Sequence, residues 1–408
     1  MPFIATIKHR QWVAPWAFAL ASACALNACG GGSDGSAATG AASTGEQLSP
    51  VAALGERIFH DVSLSASGKQ ACASCHDPDH AHAQSDDLAV QSGGANLDVP
   101  GFRAVPSLRY LNLTPAFFFA KDGTPTGGFD RDGRAQTLAE QARRPFLAPH
   151  EMANSSKADV VERLKRTSYA EEFRNVFGAG IFDNADDAFD RVVFALQQYQ
   201  KEGPDFHPFD SKYDLFLAGK AQLTDAELRG LALFNNPGKG NCAACHPSAR
   251  AADGTPPLFT DFSFDNLGVP RNPAIPATTD AAYFDMGLCG PDRTDLASRT
   301  DLCGAFKVPT LRNVATRKVF FHNGYFNTLR DALGFYVRRD TNPEEWYPPG
   351  SDGGVQKFND LPAEYRGNVN TSEAPYNRLP GMAPALSAAE IEDVIQFLGT
   401  LTDGFGTK

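Results

Sequence analysis

Two Cys-x-x-Cys-His motifs constrain this chain more than any other feature: Cys72-Ala73-Ser74-Cys75-His76 and Cys242-Ala243-Ala244-Cys245-His246. In such a motif two thiols add to the vinyl groups of one haem while the adjacent histidine ligates its iron, which is why the spacing is tight. A four-cysteine zinc site is disfavoured, because the pairs lie far apart and each is followed by histidine. The motifs predict two covalently bound c-type haems, with Cys72, Cys75, Cys242 and Cys245 as attachment points and His76 and His246 as iron ligands.

The chain repeats itself around these motifs. Gly55-Glu56-Arg57-Ile58-Phe59 precedes the first and Gly230-Leu231-Ala232-Leu233-Phe234 the second. Phe102–Arg109, with Val105-Pro106-Ser107-Leu108-Arg109, is echoed by Phe306–Arg312, with Val308-Pro309-Thr310-Leu311-Arg312, and Thr137-Leu138 by Thr328-Leu329. The 408 residues suit two domains plus appendages at about 150 residues each. We place an N-terminal haem domain at 49–215 and a C-terminal one at 216–408. Thr137, Thr224 and Ser387 each precede a glutamate by three residues, the pattern of a helix capping box. Phe189, Val192, Val193 and Leu196 recur at helical spacing, as do Ile391, Val394, Ile395 and Leu398. Pro- and Gly-rich stretches at 100–134, 253–309 and 341–385 are long for structureless loops, which suits wrapping around something bulky. The predicted fold class is mainly α, two small helical modules with long irregular loops. A net charge of −11 without a basic run excludes nucleic acid as a partner.

The first residues predict export. Lys8 and Arg10 precede an apolar run from Trp12 to Leu26, short for a membrane span. Leu26-Asn27-Ala28-Cys29 resembles a bacterial lipoprotein cleavage box, so residues 1–28 are predicted as signal peptide and 29–48 as flexible linker, with Cys29 as a lipid tether and ordinary cleavage nearby without lipid as the alternative. The expected location is the periplasm. Cys289 and Cys303 remain after haem attachment, and export favours their pairing as a disulfide worth about 3 kcal/mol for a loop of about 15 residues.

The two motifs, the intervening Asp132-Gly133-Arg134 with Gln141, Pro145 and Glu151, and the later Phe306–Asn313 and Phe321-His322-Asn323-Gly324 segments resemble the bacterial dihaem cytochrome c peroxidases and their MauG relatives. The resemblance implies two cytochrome-c-like domains: an N-terminal haem that meets hydrogen peroxide and a C-terminal haem that handles electrons. Eight residues after the threonine of each Thr-Leu pair stand Pro145 and Tyr336. In family peroxidases the second position is usually the methionine that completes the haem iron's coordination; in MauG it is tyrosine. Tyr336 is thus the expected distal ligand of the C-terminal haem, while Pro145 leaves the N-terminal haem open. Glu151 and Gln141 match the residues that assist peroxide cleavage and position peroxide. No histidine lies between Gln84 and Arg103, where family peroxidases often carry a blocking ligand, and Arg131 stands where a tryptophan usually lies between the haems. The family also holds calcium between its domains, for which Asn112 and the carbonyls of Lys307 and Pro309 are the candidates here, and its peroxidases are often homodimers.

Several aromatic and histidine positions carry weaker expectations. His80 and His82 are read as surface or propionate neighbours, His322 as part of the second haem's surroundings, and Trp346-Tyr347 as packing beneath a Pro-rich loop in preference to a surface relay. The leading expectation is a periplasmic peroxidase that draws electrons through the C-terminal haem from a small cytochrome c or cupredoxin, or from the side chains of a protein substrate. A conventional peroxide-scavenging cytochrome c peroxidase, and a dihaem electron carrier or sensor without catalysis, are the alternatives.

Overall fold

Helix formation follows the apolar spacing. The longest helix, Ala185–Glu202, starts where Asn184 accepts from the Asp186 and Asp187 amides, and it ends at Gly203. In the computed structural model, which describes residues 47–351 and 353–406, ten α-helices stand among irregular connections. They are α1 (Pro50–His60), α2 (Cys72–Cys75), α3 (Leu138–Leu147), α4 (Lys157–Leu164), α5 (Ala170–Phe177), α6 (Ala185–Glu202), α7 (Lys212–Leu217), α8 (Asp225–Asn235), α9 (Leu329–Arg338) and α10 (Ala388–Gly399). Eleven short 3-10 turns and three two-stranded antiparallel ribbons, none longer than two residues per strand, complete the regular structure of the described residues. The predicted signal peptide, Cys29 and most of the linker lie outside the described residues. The fold is mainly helical, as the sequence predicts.

The repeat has a packing reason. A methyl group at Gly55 of α1 would strike the Ala195 carbonyl of α6, and one at Gly230 of α8 would strike the Asp393 carbonyl of α10. Each glycine lets two helix backbones approach where any side chain would hold them apart. Around these crossings lie two apolar cores. The first draws on Leu54, Ile58, Phe59, Phe146, Phe173, Phe189 and Val192, with Cys72 packed against it. The second draws on Phe234, Phe259, Phe335, Val394, Phe397 and Leu398, with Cys242 and Tyr336 packed against it.

Full capping boxes form at Thr224–Glu227 and Ser387–Glu390. At α3, Thr137 accepts from the Glu140 amide, but the Glu140 carboxylate reaches past Thr137 to the Gln136 amide, 2.8 Å. The halves are joined by buried polar groups. Asp403 accepts from Arg109 (2.9 Å) and Tyr110 (2.6 Å) of the first half and from Asn313 (2.6 Å) of the second. Arg312 meets Asp214 in a buried pair at 2.7 Å. Cys289 and Cys303 form the expected disulfide.

Candidate functional site: two haem crevices

The first crevice is built on α2. The Ser74 hydroxyl accepts from the Ala71 amide (2.9 Å), and the His76 amide donates to the Cys72 carbonyl (2.9 Å), closing the motif into a single turn. His76 Nδ1 lies 3.1 Å from the Pro106 carbonyl and 3.3 Å from that of His82. A ring that donates from Nδ1 keeps Nε2 as its lone-pair nitrogen, the tautomer an iron ligand needs. Burial holds His76 down to about 4, so it is neutral at physiological pH. The second crevice repeats the device: His246 Nδ1 is 2.7 Å from the Phe259 carbonyl, and burial again lowers its pKa. The Ser107 hydroxyl bonds the Ala81 carbonyl and, at the equivalent place, the Thr310 hydroxyl bonds that of Leu258, both at 2.6 Å. Burial pushes the thiols of Cys72 and Cys242 up to about 12. Cysteines in such places suit uncharged thioether links, and the donor set fits two c-type haems.

Beyond each histidine the crevices differ. Thr137 and Thr328 cap α3 and α9, each helix running ten residues, so the counted positions Pro145 and Tyr336 fall at the same step of matching helices. Tyr336 lines a mostly apolar cavity of about 300 Å³ together with Cys242, Cys245 and His246. Its ring lies 5.5 Å from that of Phe321 and 5.9 Å from that of Tyr376. Burial, then the neighbouring Cys242 and Cys245, raises its phenol above the ordinary value. Pro145 offers no donor atom from its ring.

Glu151 lies one turn beyond α3, its amide donating to the Ala148 carbonyl at 3.0 Å. The ribbon Ser92–Gly93 is laid directly on it: Gly94 donates to the Glu151 carbonyl (2.7 Å), and a methyl group at Gly93 would stand 2.7 Å from Glu151 Cα. The residue keeps part of its surface open, yet enough protein surrounds the carboxyl to push it up to about 7. Burial is the main cause and the Asp130 charge the second, with Arg134 opposing. Its charge is felt by Cys72 and Cys75, which sets it at the first motif. Gln141 lines the cavity shared with His246 and Tyr336, on the wall with Phe129, Asp130 and Arg131. Neither side chain has a hydrogen-bond partner among the described residues, so both polar ends are free for a ligand.

Lys307 and Pro309 line the same cavity, whereas Asn112 does not. Asn112 Oδ1 is nonetheless buried without a donor, and the described residues hold no cluster of three His, Cys, Asp or Glu side chains able to take a metal. Tyr110 is committed to Asp403. His82 is not at the surface: it is buried and stacked on Phe206 at 4.0 Å. His80 stays partly exposed, bonded to Asp77. Trp346 is buried against Phe326 and Phe335, so the packing reading holds. His322 lines the cavity and stacks on Phe306 at 3.7 Å. Sequence reasoning missed Gln70, whose amide reaches Cys75 Sγ at 3.6 Å, and it missed Arg317. Neither stands in a motif with a known chemistry, and the partners that define them come from other segments.

The family description "Di-haem cytochrome c peroxidase" matches residues 49–222. The chain is 36% identical over 377 residues to the methylamine utilization protein MauG of Paracoccus denitrificans, covering 88% of this chain and 91% of that protein. It is 28% identical to the cytochrome c551 peroxidase of Nitrosomonas europaea, over 72% of this chain and 75% of that one. Among solved structures, the diheme peroxidase BthA of Burkholderia thailandensis superimposes with a TM-score of 0.80 at 40% identity, over 88% of this chain and 87% of that one. The fold, with its two Cys-x-x-Cys-His turns, is that of a dihaem c-type peroxidase. The chain belongs to the di-haem cytochrome c peroxidase and MauG family.

Proposed function

We propose that peroxide is reduced at the first crevice and that electrons enter through the second, from a partner protein, in the manner of the MauG branch. The 49–215 and 216–408 segments then act as peroxidatic and electron-transfer lobes. When bound, the haems supply the iron centres for peroxide reduction and for electron passage. The chain's own residues do the rest. Cys72 and Cys75 would anchor the first group, and His76, its Nδ1 tied to the Pro106 carbonyl, would hold its iron through Nε2. Glu151 would accept the proton from one peroxide oxygen and return it to the other, which departs as water; Gln141, whose free amide lies on the cavity wall shared with His246 and Tyr336, is assigned the orienting of peroxide on the family resemblance. Cys242, Cys245 and His246 hold the second group, with Tyr336 as its other ligand. An anionic oxygen donor favours the higher oxidation state of iron, which suits oxidation of a protein substrate better than simple scavenging. A small cytochrome c or cupredoxin is the other electron source of matching chemistry.

The observation that carries this reading is the contrast between Pro145 with the unpartnered Glu151 in one crevice and Tyr336 in the other. Export by residues 1–28 places the protein in the periplasm, with Cys29 as its lipid tether. A calcium ion, taken by Asn112 Oδ1 with the Lys307 and Pro309 carbonyls, is supported by the buried, donorless state of that oxygen.

Mixing the ferric protein with stoichiometric peroxide tests the role of Glu151. A base must be ionised to work, and this carboxyl titrates at about 7. The observed rate should therefore rise with pH through about 7 and level off above it. Glu151→Gln should lower the rate by about 10²–10⁴-fold and remove that rise. A variant within a few-fold of the parent at every pH would overturn the assignment.

A further inference from the structure

Two guanidinium groups on the cavity wall form no ion pair among the described residues, Asp285 acting on Arg131 only at longer range. Arg131 and Arg317 both line the cavity that holds His246 and Tyr336. Arg131 Nε donates to the Ala104 carbonyl at 3.0 Å, and Arg317 donates to the Val105 carbonyl at 2.8 Å. The next carbonyl, that of Pro106, is the one that holds His76 Nδ1. Three successive carbonyls thus fix two cations and the first haem's histidine in one rigid run. Lys307 adds a third cation, its ammonium donating to the Gly128 carbonyl at 2.5 Å and attracted by Asp130 only at longer range.

None of the three forms an ion pair among the described residues, unlike their neighbours. Arg109 is paired with Asp403 at 2.9 Å and Arg312 with Asp214 at 2.7 Å. The carboxylates on the wall are engaged elsewhere: Asp285 by Arg103 (2.6 Å), Asp130 by Arg134 (3.2 Å), Asp360 by Arg271 (3.4 Å), and Asp265 and Glu373 by Asn370 (3.1 and 3.2 Å). A guanidinium keeps its charge at neutral pH, and both arginines are held here through backbone carbonyls alone. Burying unpaired cations is strongly disfavoured unless something brings negative charge to them. Each haem carries two carboxylate side chains, anionic groups that haem attachment would itself bring to this cavity.

We propose that Arg131 and Arg317, flanked by Lys307, clamp haem propionates and hold positive charge beside the haems, which raises their reduction potentials. A nearby cation favours the ferrous state, because reduction removes a unit of positive charge. Arg131 is then a positioning and electrostatic residue, and its planar fork suits a carboxylate.

The proposal rests on both haems being attached, which a pyridine haemochrome measurement of two haems per chain establishes separately for each variant. Spectroelectrochemical titration of the holoprotein at pH 7 is the test. Arg131→Gln and Arg317→Gln should each shift one or both midpoint potentials to more negative values. Arg131→Lys should stay close to the parent, because charge is kept. Should Arg131→Gln not accumulate, Arg317→Gln carries the same test. Unchanged potentials in the glutamine variants, or a lysine variant shifted as far as glutamine, would overturn the clamp. Parent potentials that move with chloride at constant ionic strength would overturn it too, by showing a solution anion in the propionates' place.

Discussion

At position 336 the second half of the chain offers an oxygen donor, where the first half, at Pro145, offers none. The phenol stands in the cavity of Cys242, Cys245 and His246, and burial keeps it protonated unless a cation binds the oxygen. Replacing Tyr336 by Phe removes that oxygen while keeping the ring against Phe321 and Tyr376. The ferric optical and EPR spectrum of the second haem should then change, with the first haem unaffected. A spectrum identical to the parent's would show that Tyr336 is packing alone. The eight-residue count from each threonine made this contrast legible in the sequence. What surrounds Glu151 was not legible. The charges that act on it, Asp130, Arg134 and Asp292, come from two loops, and Asp292 belongs to the other half of the chain. Arg131 was readable only as an arginine where the family usually places a tryptophan; its burial without an ion pair is a tertiary property.

Local elements account for how those residues are held. The Thr-Leu pairs mark the starts of α3 and α9 because a threonine hydroxyl satisfies a free amide of the first turn, a signal written in consecutive residues. Gly55 and Gly230 were visible as repeated letters, but their purpose, two helix crossings at backbone contact, needs α6 and α10 in place. The same holds for Gly93, an unremarkable letter in a loop whose backbone lies on Glu151. Gly93→Ala would push its new methyl group into the His150 and Glu151 backbone, and the least resistant response is to shift Glu151. A misplacement of about 1 Å can reduce a rate by about 10²-fold. The variant should therefore keep two haems per chain yet react with peroxide at least tenfold more slowly, measured by stopped-flow absorbance. A parent-like rate would mean that the ribbon does not set the carboxyl's position. The long loops were read as wrapping for something bulky, and they do line the cavity through Phe129–Arg131, Asp265–Val269 and Phe306–Asn313. Their course was not readable, since it depends on side-chain-to-carbonyl bonds such as that of Thr260 to Val308, 2.6 Å.

Across the whole molecule, two copies of one helical module meet through Asp403, Arg109, Tyr110 and Asn313, with Arg312 and Asp214 beside them. The described residues from 47 onward pack as one compact unit, with the joint between the copies inside it. Gln141 and Arg131 of one half line the same cavity wall as His246 and Tyr336 of the other. The two halves carry equivalent histidine clamps and differ at Pro145 and Tyr336, the difference on which the proposed division of labour rests. The division of labour is most directly visible in the fully ferric holoprotein, by optical and EPR spectroscopy before and after one equivalent of peroxide, with no prior reduction. One five-coordinate, high-spin haem that changes at once on adding peroxide, beside one six-coordinate haem, is the expected result. Two low-spin haems that ignore peroxide until one is reduced would contradict an open first crevice.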